Sequence, residues 1–243
     1  MESKLVILTG GSRGIGHETS KMFWENGWEV ITCSRTPVAP QCPWTKNKQN
    51  HFQIDLENLE TLENSLTQLL ECLNGRPVKA LINNAAISPK NESNKRLSFV
   101  DTPIQLWQKV FNVNFFAPIM ISKAIINNLK LAEGMVINIT SIASDMVHEF
   151  AGPAYATSKA ALKSLTREMA ADLSKYGIRV NAIAPGEIET SMITQDSKRL
   201  IKSIPMGRFG KPEEVAAVIH SMCSDSFSYV NGTEIEINGG QKV

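Results

Sequence analysis

The chain has 243 residues, with 25 basic against 24 acidic side chains, 42% hydrophobic residues and 20% charged ones. That length accommodates one large α/β domain with a sizeable core, and the composition excludes a disordered chain. The balanced charge lacks the basic face that binding to nucleic acid or an anionic membrane requires. No apolar run approaches the ~20 residues that cross a bilayer, and the run Leu5 to Leu8 is too short for a secretory segment. Cys33, Cys42, Cys72 and Cys223 are scattered, with no C-x-x-C and no clustering with histidine. The spacing therefore gives no metal site and no disulfide scaffold, and a reducing, cytoplasmic location is expected.

In chain order, a strand is predicted over 4–9, a helix over 14–26, and a strand over 28–33. An irregular segment with three prolines fills 34–50, before a strand over 51–54 and a helix over 58–73. A strand over 78–83 runs into polar, helix-poor 86–101; Thr102 and Pro103 then read as N-cap and first residue of a helix over 102–129. Strands over 133–140 and 178–184 flank a helix over 154–175. Lys211-Pro212-Glu213-Glu214 opens a helix over 211–222, and a last strand covers 232–238. The strands are continuous apolar runs rather than alternating ones, as strands buried on both faces are. Alternation with helices makes the fold α/β: a single domain, 1–243, built on a doubly wound parallel sheet of about seven strands with helices on both faces.

Thr9-Gly10-Gly11-Ser12-Arg13-Gly14-Ile15-Gly16 leaves the first strand and opens the first helix. Glycines there let the backbone turn sharply and approach a pyrophosphate, while the helix N-terminus presents free N–H groups. The candidate cofactor contacts in this turn are Gly10, Ser12, Arg13, Gly14, Ile15 and Gly16. A carboxylate at the end of the second strand would select NAD; this chain has Ser34 and Arg35 there and no acid, so Arg35 with Arg13 points to NADP(H). Asp55 and Leu56 follow the third strand; Asp55 suits either the adenine amine or an N-cap of the next helix.

Tyr155 and Lys159 are four apart in a helix and so share a face. A neighbouring ammonium favours the phenolate, which general acid–base work needs. Ser141 leaves the fifth strand in a position to donate to a carbonyl oxygen, and Asn114 lies within a predicted helix where asparagine has no propensity advantage. His148 and Glu149, between Ser141 and Tyr155, suit a substrate-facing wall or a solvated loop equally.

These residues occur in family order. Thr9 to Gly16 resembles the T-G-x-x-x-G-x-G turn of the short-chain dehydrogenases/reductases, and Asn83-Asn84-Ala85-Ala86 their N-N-A-G. Asn114, Ser141 and Tyr155 with Lys159 fall at the family's catalytic asparagine, serine and Y-x-x-x-K. Pro185-Gly186 with Ile188 and Thr190 resembles its nicotinamide-side loop, and Gly207 to Val215 and Tyr229 to Gly232 its C-terminal third. The resemblance spans essentially the whole chain and is strongest to the 3-oxoacyl-acyl-carrier-protein reductases. It departs at Ala86, where the family has glycine, and in a spacing of Ser141 from Tyr155 one residue longer than expected.

The resemblance implies a Rossmann-like, NADP(H)-dependent oxidoreductase that transfers hydride between nicotinamide and a carbonyl or hydroxyl substrate. Tyr155 would act as acid in reduction and base in oxidation, Ser141 would polarise the carbonyl, and Lys159 would hold the nicotinamide ribose and depress the Tyr155 pKa. Asn114 would anchor a water, Asn84 would lie beside the ribose, and Ile188 and Thr190 would contact the carboxamide. Residues 190–206, with Met192, Ile193, Leu200 and Ile201, would form a substrate lid; an amphipathic helix packing its own core explains the same pattern. A 3-oxoacyl thioester on an acyl carrier protein is one expected substrate, with Lys130 and Lys175 as the basic residues nearest the expected docking faces. A free ketone or sugar is the alternative, and a non-catalytic NADP(H)-binding regulator a further one. No nucleic-acid or membrane partner is expected, and by resemblance the assembly is a homotetramer through the helices over 102–129 and 154–175 and the last strand.

Overall fold

The structure is a computed structural model that describes residues 4–39, 42–45, 50–190 and 196–242. Its centre is a seven-stranded, all-parallel sheet: β1 (Leu5–Thr9), β2 (Glu29–Ser34), β3 (His51–Gln53), β4 (Ala80–Asn83), β5 (Met135–Ile139), β6 (Arg179–Pro185) and β7 (Glu234–Ile237), in the order β3-β2-β1-β4-β5-β6-β7. The chain winds outward from β1 through β2 to β3, then returns to lay β4 on the other side of β1. This reversal opens a crevice beyond the carboxyl ends of β1 and β4, where sheets of this type bind ligands.

The helices are α1 (Gly14–Glu25), α2 (Leu59–Leu73), α3 (Ile104–Phe111), α4 (Ala117–Ala124), α5 (Ile126–Leu131), α6 (Pro153–Leu173) and α7 (Pro212–Met222). Every residue of β1, β4 and β5 is buried, because each strand sends alternate side chains to opposite covered faces. Ile7, Ile31, Leu81 and Val136 meet Leu62, Leu66, Leu69 and Leu73, the apolar stripe of α2. Val6, Leu8, Val30 and Ile82 meet Phe23 of α1 and Val215, Ile219 and Met222 of α7. Cys33 and Cys223 are buried as well, and burial pushes both thiols up to about 12.

Three expectations change. The helix over 102–129 is interrupted twice: residues Asn112–Phe116 form a π turn, in which Ala117 N–H bonds to the Asn112 carbonyl, and Ile125 breaks the helix again before α5. Thr102 does not cap α3. Its hydroxyl donates to the Ser98 carbonyl, and Pro103 itself occupies the N-cap position, one residue earlier than the N1 place expected of it. Asp55 does not cap α2 either: Asn58 does, accepting from Glu60 and Thr61 N–H, while Asp55 accepts from Glu57 N–H. At the other end of the chain Pro212 does open α7, and the Glu214 carboxylate accepts from Lys211 N–H at 2.7 Å.

A buried amide network locks α6 to the sheet. Asn83 Nδ2 donates to Asn138 Oδ1 at 2.9 Å, Asn138 Nδ2 donates to Thr166 Oγ1 at 2.9 Å, and Thr166 donates to the Leu162 carbonyl within α6. Asn138 is fully buried, so its loss leaves polar groups in the core without partners. Asn138→Ala is expected to cost about 2 kcal/mol, read as a lower denaturation midpoint at unchanged slope; a midpoint that does not move would mean the network contributes nothing net.

Candidate active site

The glycine turn folds directly against the end of β4. Gly10 holds a φ of +74°, and a Cβ on it would lie 2.8 Å from Asn84 Nδ2; one on Gly16 would lie 2.2 Å from the Gly10 carbonyl oxygen. Asn84 Nδ2 donates to the carbonyls of Thr9 and Gly10 at 3.0 and 3.2 Å, and the Thr9 hydroxyl accepts from Asn84 and Ala85 N–H at 3.1 Å. Asn84 therefore braces the turn. α1 begins at Gly14 with no side-chain cap, which leaves its first N–H groups to face an anion. Such a bare turn is the cradle that a pyrophosphate needs, and a dinucleotide fits it. Thr190 lies over Gly14, its methyl 3.2 Å from where a Cβ would stand, and Ile188 is buried against Gly210. Beside the turn a cavity of about 660 Å³ opens between the N-termini of α1 and α7, lined by Arg13, Gly14, Thr190 and Lys211 among others.

At the end of β2, Ser34 donates to the Thr36 carbonyl and Thr36 Oγ1 donates to Ser12 Oγ at 3.1 Å, so the β2 exit and the glycine turn are tied together. Arg35 is exposed; its Nη1 is 3.8 Å from Glu57, which Lys109 holds at 2.7 Å. Arg13 is exposed at the mouth of the turn, while Ile15 packs against the core on its inner side. The Leu56 side chain packs in the core, which leaves its backbone to face the crevice side. Ala86 has no positive φ, so its methyl group is accommodated without backbone strain.

Asn114, Ser141, Tyr155 and Lys159 come together where α6 and the π turn meet the ends of β4 and β5. Asn114 is fully buried: its Oδ1 accepts from Ile87 N–H at 2.9 Å, and its Nδ2 donates to the Ile87 carbonyl and to Ser158 Oγ, each at 3.0 Å. Ser158 donates in turn to the Tyr155 carbonyl at 2.7 Å. The π turn swings the Asn114 amide into this bridge, as such insertions often do at functional sites. Both amide protons are spent on protein partners, so the side chain has one Oδ1 lone pair left for the water it was expected to anchor.

Lys159 is 1% exposed; its Nζ donates to the Ile139 carbonyl at 2.6 Å and lies 5.8 Å from the centre of the Tyr155 ring. Burial pulls its ammonium down to about 7. The Tyr155 hydroxyl is raised above its ordinary value: burial does most of this, a hydrogen bond from Ser141 opposes it, and the negative Glu187 adds to it. The expectation that Lys159 depresses the Tyr155 pKa is therefore corrected for this arrangement. The Lys159 amine is turned towards a backbone carbonyl, and burial outweighs any lowering it exerts on the phenol.

Glu187 was passed over in the sequence, although an acid inside the run Pro185-Gly186-Glu187-Ile188 was a signal. His148 Nε2 sits 2.8 Å from it, so His148 faces the site and is not a solvated loop residue; Glu149 instead turns outward to pair with Arg199. Phe150 N–H donates to His148 Nδ1 at 3.2 Å. Lys90 and Arg199 both stack on the Phe150 ring, at 5.1 and 5.5 Å from its centre. The loop after Ser141 is clamped from behind: Asp145 pairs with Lys163 of α6 and with Lys242, which also reaches Glu236 of β7 at 2.5 Å. Residues 191–195 of the expected lid, Met192 and Ile193 included, lie outside the described residues; Leu200 and Ile201 lie in the 3₁₀ segment Asp196–Ser203. Lys130 and Lys175 both lie over the Tyr176 ring, at the far end of α6. At 1.5 Å per residue that is roughly 30 Å from Tyr155, which removes them from any entrance.

The buried amine makes folding pH-dependent. Folded Lys159 titrates near 7 against 10.5 for the free side chain, so between those values the unfolded chain holds the extra proton and stability rises with pH. Below about 7 the full cost, a few kcal/mol, is present. Lys159→Met should therefore melt above the parent at neutral pH, with the gap narrowing as the pH approaches 10.5; a gap that is constant with pH would show that Lys159 folds without penalty.

Residues 10–242 match the family model described as enoyl-(acyl carrier protein) reductase. The chain is 50% identical over 242 residues to protein FixR of Bradyrhizobium diazoefficiens, covering 99% of this chain and 87% of that one. It is 29% identical to the 3-oxoacyl-acyl-carrier-protein reductase FabG of Vibrio cholerae over 99% of this chain and 98% of the other. Among solved structures, a short-chain dehydrogenase/reductase from Brucella ovis in complex with a partially ordered NAD is 47% identical, with a TM-score of 0.83, covering 98% of this chain and all of that one. With the same sheet, the same crevice and a match along nearly its whole length, the chain belongs to the short-chain dehydrogenase/reductase family of oxidoreductases.

Proposed function

We propose that the protein is an NADP(H)-dependent oxidoreductase acting on the carbonyl or hydroxyl group of a small substrate. The convergence of Ser141, Tyr155 and Lys159 at the carboxyl ends of the sheet, beside a glycine turn bare enough for a pyrophosphate, carries this reading. A bound nicotinamide supplies or accepts the hydride. The chain's own residues do the rest. The Ser141 hydroxyl, paired with the Tyr155 hydroxyl, donates to a carbonyl oxygen that enters between them, and Tyr155 gives that oxygen its proton. In oxidation Tyr155 takes the proton back. Lys159 sits one helical turn from Tyr155, where it reaches ribose hydroxyls and passes protons at Nζ. Asn114 acts as a positioning residue, holding Ile87 and Ser158 so that α6 keeps its place against β4.

For the cofactor, Gly10, Ser12, Arg13, Gly14, Ile15 and Gly16 would cradle the phosphates, Ser34 and Arg35 the 2′-phosphate, and Asp55 with the Leu56 backbone the adenine. Asn84, Tyr155, Lys159, Ile188 and Thr190 would line the nicotinamide half. The missing acid after β2 and the exposed guanidinium of Arg35 support NADP(H) over NAD. Thr190, the first residue of the expected lid over 190–206, lies against Gly14 of the glycine turn.

A 3-oxoacyl thioester is the second reading for the substrate, favoured by similarity to FabG. With Lys130 and Lys175 at the wrong end of α6, a carrier protein has no basic docking face from them, and a free small molecule is the better reading. A regulator that only binds NADP(H) would need the glycine turn alone and gives no reason for the buried lysine. Exposed Phe99, Val100, Ile104 and Phe116 supply an apolar surface for the expected homotetramer.

Reduction of a short 3-oxoacyl thioester and of a ketone and aldehyde panel, followed by loss of reduced-nicotinamide absorbance with NADPH and with NADH, tests the reading. Tyr155→Phe should lose turnover by about 10²–10⁴-fold while still binding NADPH; turnover at the parent's rate would sink the mechanism. Arg35→Asp should move the NADPH-to-NADH preference by about tenfold towards NADH, since one charge-assisted contact is worth about that much. An unchanged ratio would make Arg35 a surface residue only.

A further inference from the structure

The charged groups on the substrate side of Tyr155 are almost all spent on one another. Glu187 is held by His148 at 2.8 Å and Arg199 by Glu149; Arg96 has no ion pair among the described residues, but its Nε donates to the Ala151 carbonyl at 2.8 Å. Lys163 and Lys242 are taken by Asp145, Glu234 and Glu236. Lys90 is different. It leaves the crevice end of β4, is fixed by a bridge to Arg96, and its half-buried ammonium rests on the face of Phe150. Among the described residues no carboxylate forms an ion pair with it. The nearest negative group acting on it is Glu187, already engaged by His148. Burial lowers its pKa and Glu187 recovers part of the loss, so the fold holds there a partly desolvated cation whose cost the protein only partly offsets.

Glu187 also ties this cation to the chemistry, because its charge acts on both Tyr155 and Lys90. Lys90, Phe150, His148 and Glu187 thus form a continuous wall. We propose that Lys90 anchors a carboxylate of the substrate, so that the protein acts on a small oxo- or hydroxy-acid and not on an apolar acyl chain. This rests on the oxidoreductase reading above. A carboxylate fits better than a phosphate for reasons of charge: a single ammonium whose nearest negative group is Glu187 matches a single negative charge. The unused lone pairs of Glu187 accept from a substrate hydroxyl on the same wall.

The test compares levulinate and acetoacetate with their methyl esters, which differ only in the charge that Lys90 would hold. The parent enzyme should favour the acids over the esters by about tenfold or more in kcat/KM, carried by KM. Lys90→Met should bring that ratio to within about twofold, and Lys90→Arg should keep most of it, because a guanidinium also binds carboxylate. If Lys90 only packs on Phe150, acid and ester are handled alike by the parent, or Lys90→Met keeps the preference; either result overturns the assignment while leaving the reductase reading intact. If no acid, ester, ketone or thioester is reduced although NADPH binds, the reductase reading itself falls. Calorimetric titration of levulinate into the NADPH-loaded protein then decides the Lys90 site alone: binding that Lys90→Met abolishes supports it, and no binding in the parent overturns it.

Discussion

An amine with 1% of its surface exposed is the constraint around which this molecule is arranged. Lys159 is destabilising where it stands, and the neighbouring structure is organised to keep it there. Its amine donates to the Ile139 carbonyl, at the last residue of β5 and one residue past the end of the ladder with β4. α6 is held in register by Asn138 through Thr166, one strand residue before that carbonyl and two helical turns beyond Lys159. Asn114 fixes the same helix from the other side through Ser158, immediately before Lys159. Two buried polar networks therefore pin the helix on either side of one unfavourable group. A fold chosen for stability alone would place a leucine at 159 and dispense with both.

The crevice follows a second economy. Asn84 and Thr9 use side-chain groups to satisfy backbone carbonyls and N–H groups at the ends of β1 and β4, where the ladder can no longer do so. That bracing lets the glycine turn stay free of side chains. The first turn of α1 then keeps its N–H groups for a ligand, with no serine or aspartate of its own to cap them. Further out, the walls are charged but mostly self-paired, so the site is polar in character without carrying a strong net field.

The sheet was legible because burial on both faces leaves a plain trace: Leu5 to Leu8, Ala80 to Ile82 and Met135 to Ile139 are apolar at every or nearly every position. The glycine turn and the four-residue step from Tyr155 to Lys159 were legible because both are local. The π turn at Asn112–Phe116 was not, since inserting one residue in a helix barely disturbs its apolar spacing. Nor were the long-range pairs. His148 and Glu187 are 39 residues apart, and nothing local in either announces the other. Lys130 and Lys175 misled for the opposite reason: they meet over the Tyr176 ring, past the end of α6 that lies away from Tyr155.

The two titrating groups at the heart of the site are displaced in opposite senses, Lys159 downward and Tyr155 upward. Burial accounts for both, because it disfavours an ammonium and a phenolate alike. Of these two groups Glu187 acts on the tyrosine, as a negative charge that keeps the proton on the phenol. On the proposed roles, that proton is what a carbonyl oxygen receives in reduction, and a phenolate is what an alcohol requires in oxidation. The unliganded site thus stands loaded for reduction at neutral pH. Oxidation needs that bias overcome, either by a higher pH or by positive charge brought close to Tyr155. Lys159, one helical turn away, is placed to supply it once its amine leaves the Ile139 carbonyl.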